Sequence, residues 1–474
     1  MSEKVAPTGS APAGQPVMGG WMEELRATFA LAWPLVIAQL AQNALHTTDV
    51  ILLGWLGPDY LAAGTLATTF FMPFLLFGVG VVGAVAPLVA QARGARDIKA
   101  IRRIVRQGFW VAIVMSAALL PLVLQIRPVY HLLGQDPRAT DMANEFVRIV
   151  AWSLFPALGI IALRSLLSAF DATRAVLVIT VMGVVVNALV AYALIFGNFG
   201  LPRLELRGAA IATLTTNIIM FLVMLAYVVR HRRFGRFHIL MRFWTPDWGH
   251  FRAIFRIGMP IALTVVAEVG MFTAAALLMG RLGTNEVAAH AIALQCASMA
   301  FMVPLGLGIA ATVRVGVAYG RRDAEGIRKA GWMSFMLGTG FMTLSCAAFL
   351  LFGRPIVGIF LDPSVEANAE ALVLAVSYLA IAGIFQLADG AQVSAAHALR
   401  GLSDTNIPMV LAIVGYWMVG LPTSYVLGFV FGWRGVGIWT GLAVGLTFVA
   451  IVLGVRFALR ERLGLLQNIG IGRG

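Results

Sequence analysis

The stretches GARDIKAIR at residues 94–102 and GRRDAEGIR at residues 320–328 share a Gly-x-Arg-Asp turn and an Ile-Arg pair at an offset of 226 residues. Outward from them, the same offset superposes Gly80 on Gly306 and Ala62-Ala63 on Ala288-Ala289. It also superposes Gly54-x-Leu56-Gly57 on Gly280-x-Leu282-Gly283, and Pro34 on Pro260. Ungapped matches over so long a run read as a duplicated unit rather than as a product of composition. Farther along the register drifts by a few residues, and Arg207-Gly208-x-x-Ile211-x-Thr213 echoes Arg434-Gly435-x-x-Ile438-x-Thr440.

The repeated unit is a membrane unit. Of the 474 residues, 60% are hydrophobic and 12% charged, with a mean hydropathy of +0.87. Soluble domains carry about 25% charged residues, so most of this surface has to face lipid, which excludes a soluble enzyme and a disulfide-held secreted domain. Cys296 and Cys346 sit in apolar runs and offer neither a disulfide framework nor a metal pair. A bilayer span needs about 20 mostly apolar residues. On that criterion the sequence predicts an all-α protein of twelve spans, near 27–52, 61–92, 104–127, 139–169, 175–197, 207–229, 255–280, 286–318, 330–353, 367–400, 405–428 and 435–458. Four of these run near 30 residues, enough to tilt or to protrude.

Basic residues set the expected orientation. With both termini placed on one side, that side carries 27 of the 35 Lys and Arg and the other carries eight. By the positive-inside rule both termini face the cytoplasm, and the +13 net charge reports membrane topology rather than nucleic acid. Residues 1–20 read as a disordered tail, 21–229 as a first six-helix bundle, 230–254 as a basic linker, 255–460 as a second bundle and 461–474 as a second tail. Because each half has an even number of spans, the repeat axis is expected along the membrane normal. Such duplicated bundles characterise secondary transporters, which hold their substrate between the repeats and alternate access by rocking one half against the other.

The first span, with Pro34 and His46-Thr-Thr-Asp49-Val-Ile-Leu-Leu-Gly54-Trp-Leu-Gly57, resembles the opening of multidrug and toxic compound extrusion (MATE) transporters. The segments from Met259-Pro260 through Glu268 to Ala288-Ala289-His290, and from Gln386 through Asp389 to Leu399-Arg400-Gly401, resemble the NorM-like branch of that family. The similarity runs from about residue 25 to 460. It implies a V-shaped pair of six-helix bundles in a bacterial inner membrane. It further implies export of amphipathic organic cations against inward sodium ions or protons, with no cofactor beyond the coupling ion and no nucleic-acid partner. We take the chain as a monomer and not an enzyme.

The residues themselves point to the same places. Three acids lie within apolar runs: Asp49, Glu268 and Asp389. A charge at the bilayer centre costs about 3 kcal/mol on insertion scales, so such groups face a protein interior or a wet cavity and are functional candidates, or else lock helix packing. The resemblance places Glu268 and Asp389 at the family's cation site, where they would also be the sodium ligands. Asp49 and Asn187 match family positions in the first half. Ala191 stands where many NorM-like members carry a second asparagine, which argues against a full cation site there. Under the 226-residue offset Glu268 falls on Gln42 and Asp49 on Ala275, so coupling is expected in the second half.

Gln39, Gln42 and Asn43 are candidates to line the substrate cleft, or to hydrogen-bond between helices. Phe385, Tyr416 and Trp417 are candidate aromatic faces for a cationic cargo, each worth about 0.5–2 kcal/mol. His290 and His397 read as titratable or as satisfied hydrogen-bonding groups, and Arg400 as a helix cap or interfacial anchor. Pro34 and Pro260, recurring in both halves, are candidate hinges, since a proline frees a carbonyl within a span. Two other functions are weaker. A flippase for an anionic lipid-linked saccharide would want basic residues in the cleft, where this reading finds acids. An intramembrane transferase would want paired acids for a divalent metal, and only Glu23-Glu24 are adjacent.

Overall fold

The computed structural model describes residues 20–198, 200–362 and 364–466. The expected tail of residues 1–20 thus falls, but for Gly20, outside the described residues, and the 461–474 tail is described only to Leu466.

Twelve helices are long and apolar enough to cross a membrane, and no strand occurs among the described residues. They are α1 (Trp21–Leu56), α2 (Pro58–Gly94), α3 (Ile98–Val123), α4 (Pro137–Ala169), α5 (Thr173–Phe196) and α6 (Glu205–Arg230) in the first half. The second half has α7 (Trp248–Gly280), α8 (Thr284–Gly320), α9 (Ala324–Leu351), α10 (Ala369–Gly401), α11 (Asn406–Val430) and α12 (Arg434–Ala458). Besides the four expected to be long, α1 and α7 also exceed 30 residues. The second half begins earlier than expected, because Asp247 caps α7 by accepting a hydrogen bond from the His250 backbone N–H at 3.2 Å. The basic linker is not a free strap: Phe234 and Phe237 are buried, Phe237 packs on Phe170 at 5.0 Å, and Trp110 Nε1 of α3 donates to the Phe243 carbonyl at 2.9 Å.

Two apolar cores fill the molecule. One is built by α1–α6 and continues across the boundary into Ile254, Ile261, Leu307 and Val313. The other lies wholly in the second half, around Tyr378, Tyr416 and Trp439.

The repeated residues of the sequence have distinct physical jobs. Arg96 (φ 58°) and Arg322 (φ 60°) both take the left-handed conformation that turns the chain after α2 and α8. The aspartates that follow, Asp97 and Asp323, each cap the next helix by accepting from Ala100 N (2.9 Å) and Gly326 N (2.8 Å). The repeated glycines make the seam between bundles. A β-carbon at Gly80 would lie 2.5 Å from Ala262 Cα, and one at Gly306 would lie 2.8 Å from Val36 Cα. At Gly94 it would strike the Val317 carbonyl, and at Gly320 the Gln91 carbonyl. Adding 226 to Val36 gives Ala262, and adding it to Gln91 gives Val317, so each contact recurs with the two halves exchanged. That is the signature of a twofold axis between the bundles. The later echo of Arg207-Gly208 in Arg434-Gly435 is displaced by two residues. Gly208 abuts the end of the preceding helix at Leu194, and Gly437, not Gly435, abuts Leu427 in the same way.

The seam occupies the half of the molecule nearer the face where α1 begins and α12 ends, here the terminal face. Polar contacts reinforce it there. Arg314 of α8 donates Nε to Glu24 of α1 at 2.6 Å, and Gln91 Nε2 of α2 reaches the Gly401 carbonyl and Ser403 Oγ, each at 2.9 Å. A cavity of about 380 Å³ opens beside the ion pair, lined by Glu24, Arg93, Asp171, Arg314, Asp323 and Lys329 among others.

Candidate functional site

In the first bundle, α1, α5 and α6 converge on Asp49. Its Oδ1 accepts from Asn187 Nδ2 at 2.7 Å and its Oδ2 from Thr213 Oγ1 at 3.2 Å. Thr216 Oγ1 donates in turn to Asn187 Oδ1 at 3.3 Å. Asn187 is fully buried and Asp49 half-buried. The structure therefore brings Asp49 and Asn187 together as the sequence suggested, and adds two threonines that hydropathy alone does not distinguish from packing residues.

In the second bundle the long helix α10 carries Gln386, Asp389, Gln392, His397 and Arg400 on its protein-facing side, all but Arg400 buried. Asp389 feels the charge of Glu268 on α7, and Glu268 feels Arg400. Tyr416 of α11 interacts with all three. The two acids, Arg400 and Tyr416 thus form one electrostatic cluster, in which burial strengthens each interaction relative to water. Gln392 Nε2 donates to Tyr416 Oη at 2.7 Å, and Ser345 Oγ donates to Gln386 Oε1 at 2.7 Å. Asp389 Oδ1, Gln386 Nε2 and Gln392 Oε1 are buried without a hydrogen-bond partner among the described residues. α11 winds wider than an α-helix over Val414–Gly420, around Tyr416, a distortion frequent at functional sites.

Arg400 stands in the last turn of α10, as the sequence suggested, but it is half-buried and turned into the protein rather than an exposed interfacial anchor. It lines a water-sized cavity of about 20 Å³ together with Thr264, Gln392, Asp404 and Thr405, and its Nη1 meets His397 Nε2 at 3.2 Å. His397 is a satisfied group, with Nδ1 at 2.9 Å from the Val393 carbonyl. His290 is not, since neither ring nitrogen has a hydrogen-bond partner among the described residues.

The proposed cleft residues separate. Phe385 (2% exposed) and Tyr416 (0%) lie inside the second bundle, Phe385 between Phe272 and Trp439 at 6.0 and 5.7 Å. In this conformation neither offers a ring face to a cargo between the bundles. Trp417 does remain accessible, held on α7 by donating Nε1 to the Ala267 carbonyl at 3.0 Å, one residue from Glu268. Gln42 is exposed and Asn43 half-buried, while Gln39 accepts from Arg164 Nη2 of α4 at 2.5 Å. Arg164 corrects the view that mid-bundle charge is only acidic. Pro34 and Pro260 lie within unbroken helices, each two residues before its half's seam contact at Val36 or Ala262.

Twelve spanning helices in two repeated halves, packed across a twofold seam, with acids inside each half, define a polytopic membrane protein of the transporter class. Comparison with known proteins makes this specific. The MatE family model matches residues 34–193 and 260–426, one stretch in each half, and the chain belongs to that family. It is 45% identical over 439 residues to "Probable multidrug resistance protein NorM" of Brucella suis, covering 92% of this chain and 93% of that one. It is 44% identical to the NorM of Mesorhizobium japonicum, covering 94% and 95%. Its fold is shared by the eukaryotic MATE transporter AtDTX14, at a TM-score of 0.85 and 21% identity over 95% of this chain and 99% of that one. It is shared equally by an outward-facing multidrug resistance MATE transporter, at a TM-score of 0.85 and 20% identity over 94% and 97%.

Proposed function

We propose that the protein is a secondary active multidrug efflux antiporter. It exports amphipathic organic cations across a bacterial inner membrane in exchange for inward sodium ions or protons, acts as a monomer, and keeps both termini in the cytoplasm. The names of its NorM relatives support efflux of drugs. The observation that carries the coupling is the second bundle's pair of buried acids, in which Asp389 feels the charge of Glu268 while Asp389 Oδ1 has no hydrogen-bond partner among the described residues. A lone pair aimed into a buried site is available to a sodium ion or a proton. Arg400 supplies the opposite charge that steadies the acids when the ion has left.

On this reading the seam on the terminal face closes the cytoplasmic side. From outside, the coupling ion neutralises the acid pair and disfavours the bound organic cation, which leaves. The loaded carrier then rocks, opens inward and discharges. Coupling requires only that the two ligands bind the two states with different affinity.

The test is efflux of an ethidium-type cation from proteoliposomes under separately imposed sodium and proton gradients. Glu268→Gln and Asp389→Asn are each expected to abolish ion-driven efflux while the protein still inserts. Full ion-driven efflux by both variants overturns the coupling assignment. Arg164 favours a second reading, transport of an anionic lipid-linked saccharide, because it sets a half-buried guanidinium on Gln39. Flipping of a fluorescent anionic lipid, with no organic-cation efflux under either gradient, would establish that reading in place of the first.

A further inference from the structure

A second group of polar side chains lies in the second bundle, beyond the acid pair toward the face opposite the termini. Glu286 and His290 stand one turn apart on α8, Gly435 and Trp439 one turn apart on α12, and Tyr378 meets them from α10. The His290 and Trp439 rings are 5.4 Å apart. A β-carbon at Gly435 would collide with the Tyr378 hydroxyl and sit 2.9 Å from Glu286 Oε2. Glycine at 435 is therefore what lets the phenol and the carboxylate converge.

Glu286, His290, Tyr378 and Trp439 are each no more than 2% exposed. Glu286 Oε2, both His290 ring nitrogens, Tyr378 Oη and Trp439 Nε1 have no hydrogen-bond partner among the described residues, while Glu286 Oε1 meets Arg434 in an ion pair. The first half does not share this arrangement. The position equivalent to Glu286 is Tyr60, whose hydroxyl donates to Glu205 at 2.5 Å. An unpaired buried polar group costs about 1–3 kcal/mol, and at least nine in ten such groups in folded proteins are paired. Five together, from three helices, are what a ligand shell would account for.

The donor set selects the ligand. One carboxylate, one phenol oxygen and one imidazole lone pair give a single negative charge and few hard donors. Divalent cations demand more carboxylates or carbonyls, and among the described residues no group of three His, Cys, Asp or Glu side chains is placed to hold a metal. The Trp439 N–H and the imidazole N–H suit the water of a hydrated ion. Among the described residues, the ion pair on Glu286 comes from Arg434, whose Nε lies 2.8 Å from Glu286 Oε1 and whose side chain is 59% exposed. Arg434 also sits in the left-handed region at φ 53°.

We propose that Glu286, His290 and Tyr378 form a second binding site for a small hydrated monovalent cation, sodium or hydronium, in which Arg434 is the built-in counter-charge that swings away when the ion enters. The proposal rests on the reading of the second bundle as ion-coupled. Tyr378 and Asp389 are eleven residues apart on one face of α10, about 16 Å at 1.5 Å per residue. Between them Phe385 and Trp439 pack ring to ring. The site is thus a station for the coupling ion on its way from the outer face, separated from the acid pair by an aromatic layer.

The test uses full-length protein carrying Glu268→Gln and Asp389→Asn, which removes the inner acids. Equilibrium binding of radioactive sodium at constant ionic strength, balanced with choline, is expected to retain one class of site in this background. Adding Tyr378→Phe or Glu286→Gln is expected to weaken that site at least tenfold, and Gly435→Ala to weaken it by displacing the phenol. A parallel proton-uptake titration without sodium reads the hydronium arm, in which uptake lost with Glu286→Gln supports the site with hydronium as its ion. Thermal unfolding in detergent shows that Tyr378→Phe, which removes only the hydroxyl, remains folded. Two results overturn the site: no residual sodium or proton binding in the background variant, or residual binding indifferent to both Tyr378→Phe and Glu286→Gln. If the wild type shows no ion-driven efflux yet Tyr378-dependent binding persists, coupling falls and the site stands.

Discussion

Alanine at position 80 puts the seam under a measurable load. The added β-carbon would lie 2.5 Å from Ala262 Cα, 2.8 Å from its nitrogen and 2.9 Å from its Cβ, whereas non-bonded carbons settle at about 3.5–4.0 Å. The neighbours are backbone and an alanine stub, so no rotamer change relieves the overlap and α2 has to part from α7 by about 1 Å. Overpacking of this kind costs about 1–3 kcal/mol. The cost falls only on the state with the seam closed, so the population ratio shifts about 5- to 150-fold toward the opened seam. Gly306→Ala loads the symmetric contact, where the added carbon lies 2.6 Å from Val36 Cγ2 and 2.8 Å from its Cα and nitrogen. Part of that overlap is side chain, and its effect is expected to be smaller. The assay is the distance distribution between spin labels on Lys99→Cys and Glu325→Cys, exposed positions 226 residues apart on the terminal face. The native thiols Cys296 and Cys346 are buried. The long-distance population is expected to grow in each variant and most in the pair. Helix propensity alone makes Gly→Ala favourable by about 1 kcal/mol in either state, so a raised melting temperature is compatible with the shift. An unchanged distance distribution in the folded double variant would refute the assignment of these glycines to the moving interface.

Three further outcomes are expected. Glu24→Arg weakens seam closure by placing like charges together, and Glu24→Arg with Arg314→Glu restores it, as read by the same label pair; failure of the swap to restore closure would discount the ion pair. Arg400→Gln removes the positive charge that Glu268 feels, so the coupling ion is held more tightly: its half-saturating concentration falls several-fold and net efflux slows, while drug-for-drug exchange persists. At Asp247, burial pushes the carboxyl up, but the backbone N–H and imidazole of His250, with Arg103 beyond, outweigh it and hold the group below the usual carboxylate range. Its capping contribution is therefore present above about pH 4, the ordinary unfolded value, and is lost as pH falls through the depressed folded value. Asp247→Ala should cost about 1 kcal/mol at neutral pH and progressively less in acid, measured by thermal unfolding.

The helices were legible because twenty apolar residues in a row have few alternatives, and the duplication because glycine cannot be replaced where two backbones touch. Gly80, Gly94, Gly306 and Gly320 stand out in the sequence for the reason they stand out in the structure. Charge burial likewise exposed Asp49, Glu268 and Asp389, since an acid in an apolar run is rare enough to notice. Arg164, Arg400 and Glu286 escaped for the opposite reason. Each lies within two turns of a helix end, where a charge is ordinary, and only the tertiary fold shows that α4, α8 and α10 carry them inside. Phe385 and Tyr416, read as cleft residues, are buried in this conformation, because an aromatic on a spanning helix can face lipid, cleft or core, and sequence periodicity does not separate those three surroundings.

The division between what is duplicated and what is not follows from what each part has to do. Rocking two bundles about a common axis requires matched contact surfaces, and the seam obeys the 226-residue offset residue for residue: Gly80 on Ala262 and Gly306 on Val36, Gly94 on Val317 and Gly320 on Gln91. Ion coupling needs a site in one moving body only, and there the halves part company. Both oxygens of Asp49 already accept hydrogen bonds, from Asn187 and Thr213, so an ion entering there shares each oxygen with a donor and finds half of the carboxylate's lone pairs taken. Asp389 keeps Oδ1 free, beside a second acid and an arginine, and an ion entering there displaces no protein partner. On the proposed reading, similar backbones leave the first bundle's acid as a tie between helices and the second bundle's as the binding group, and the difference lies in two or three side chains on the helices that face it.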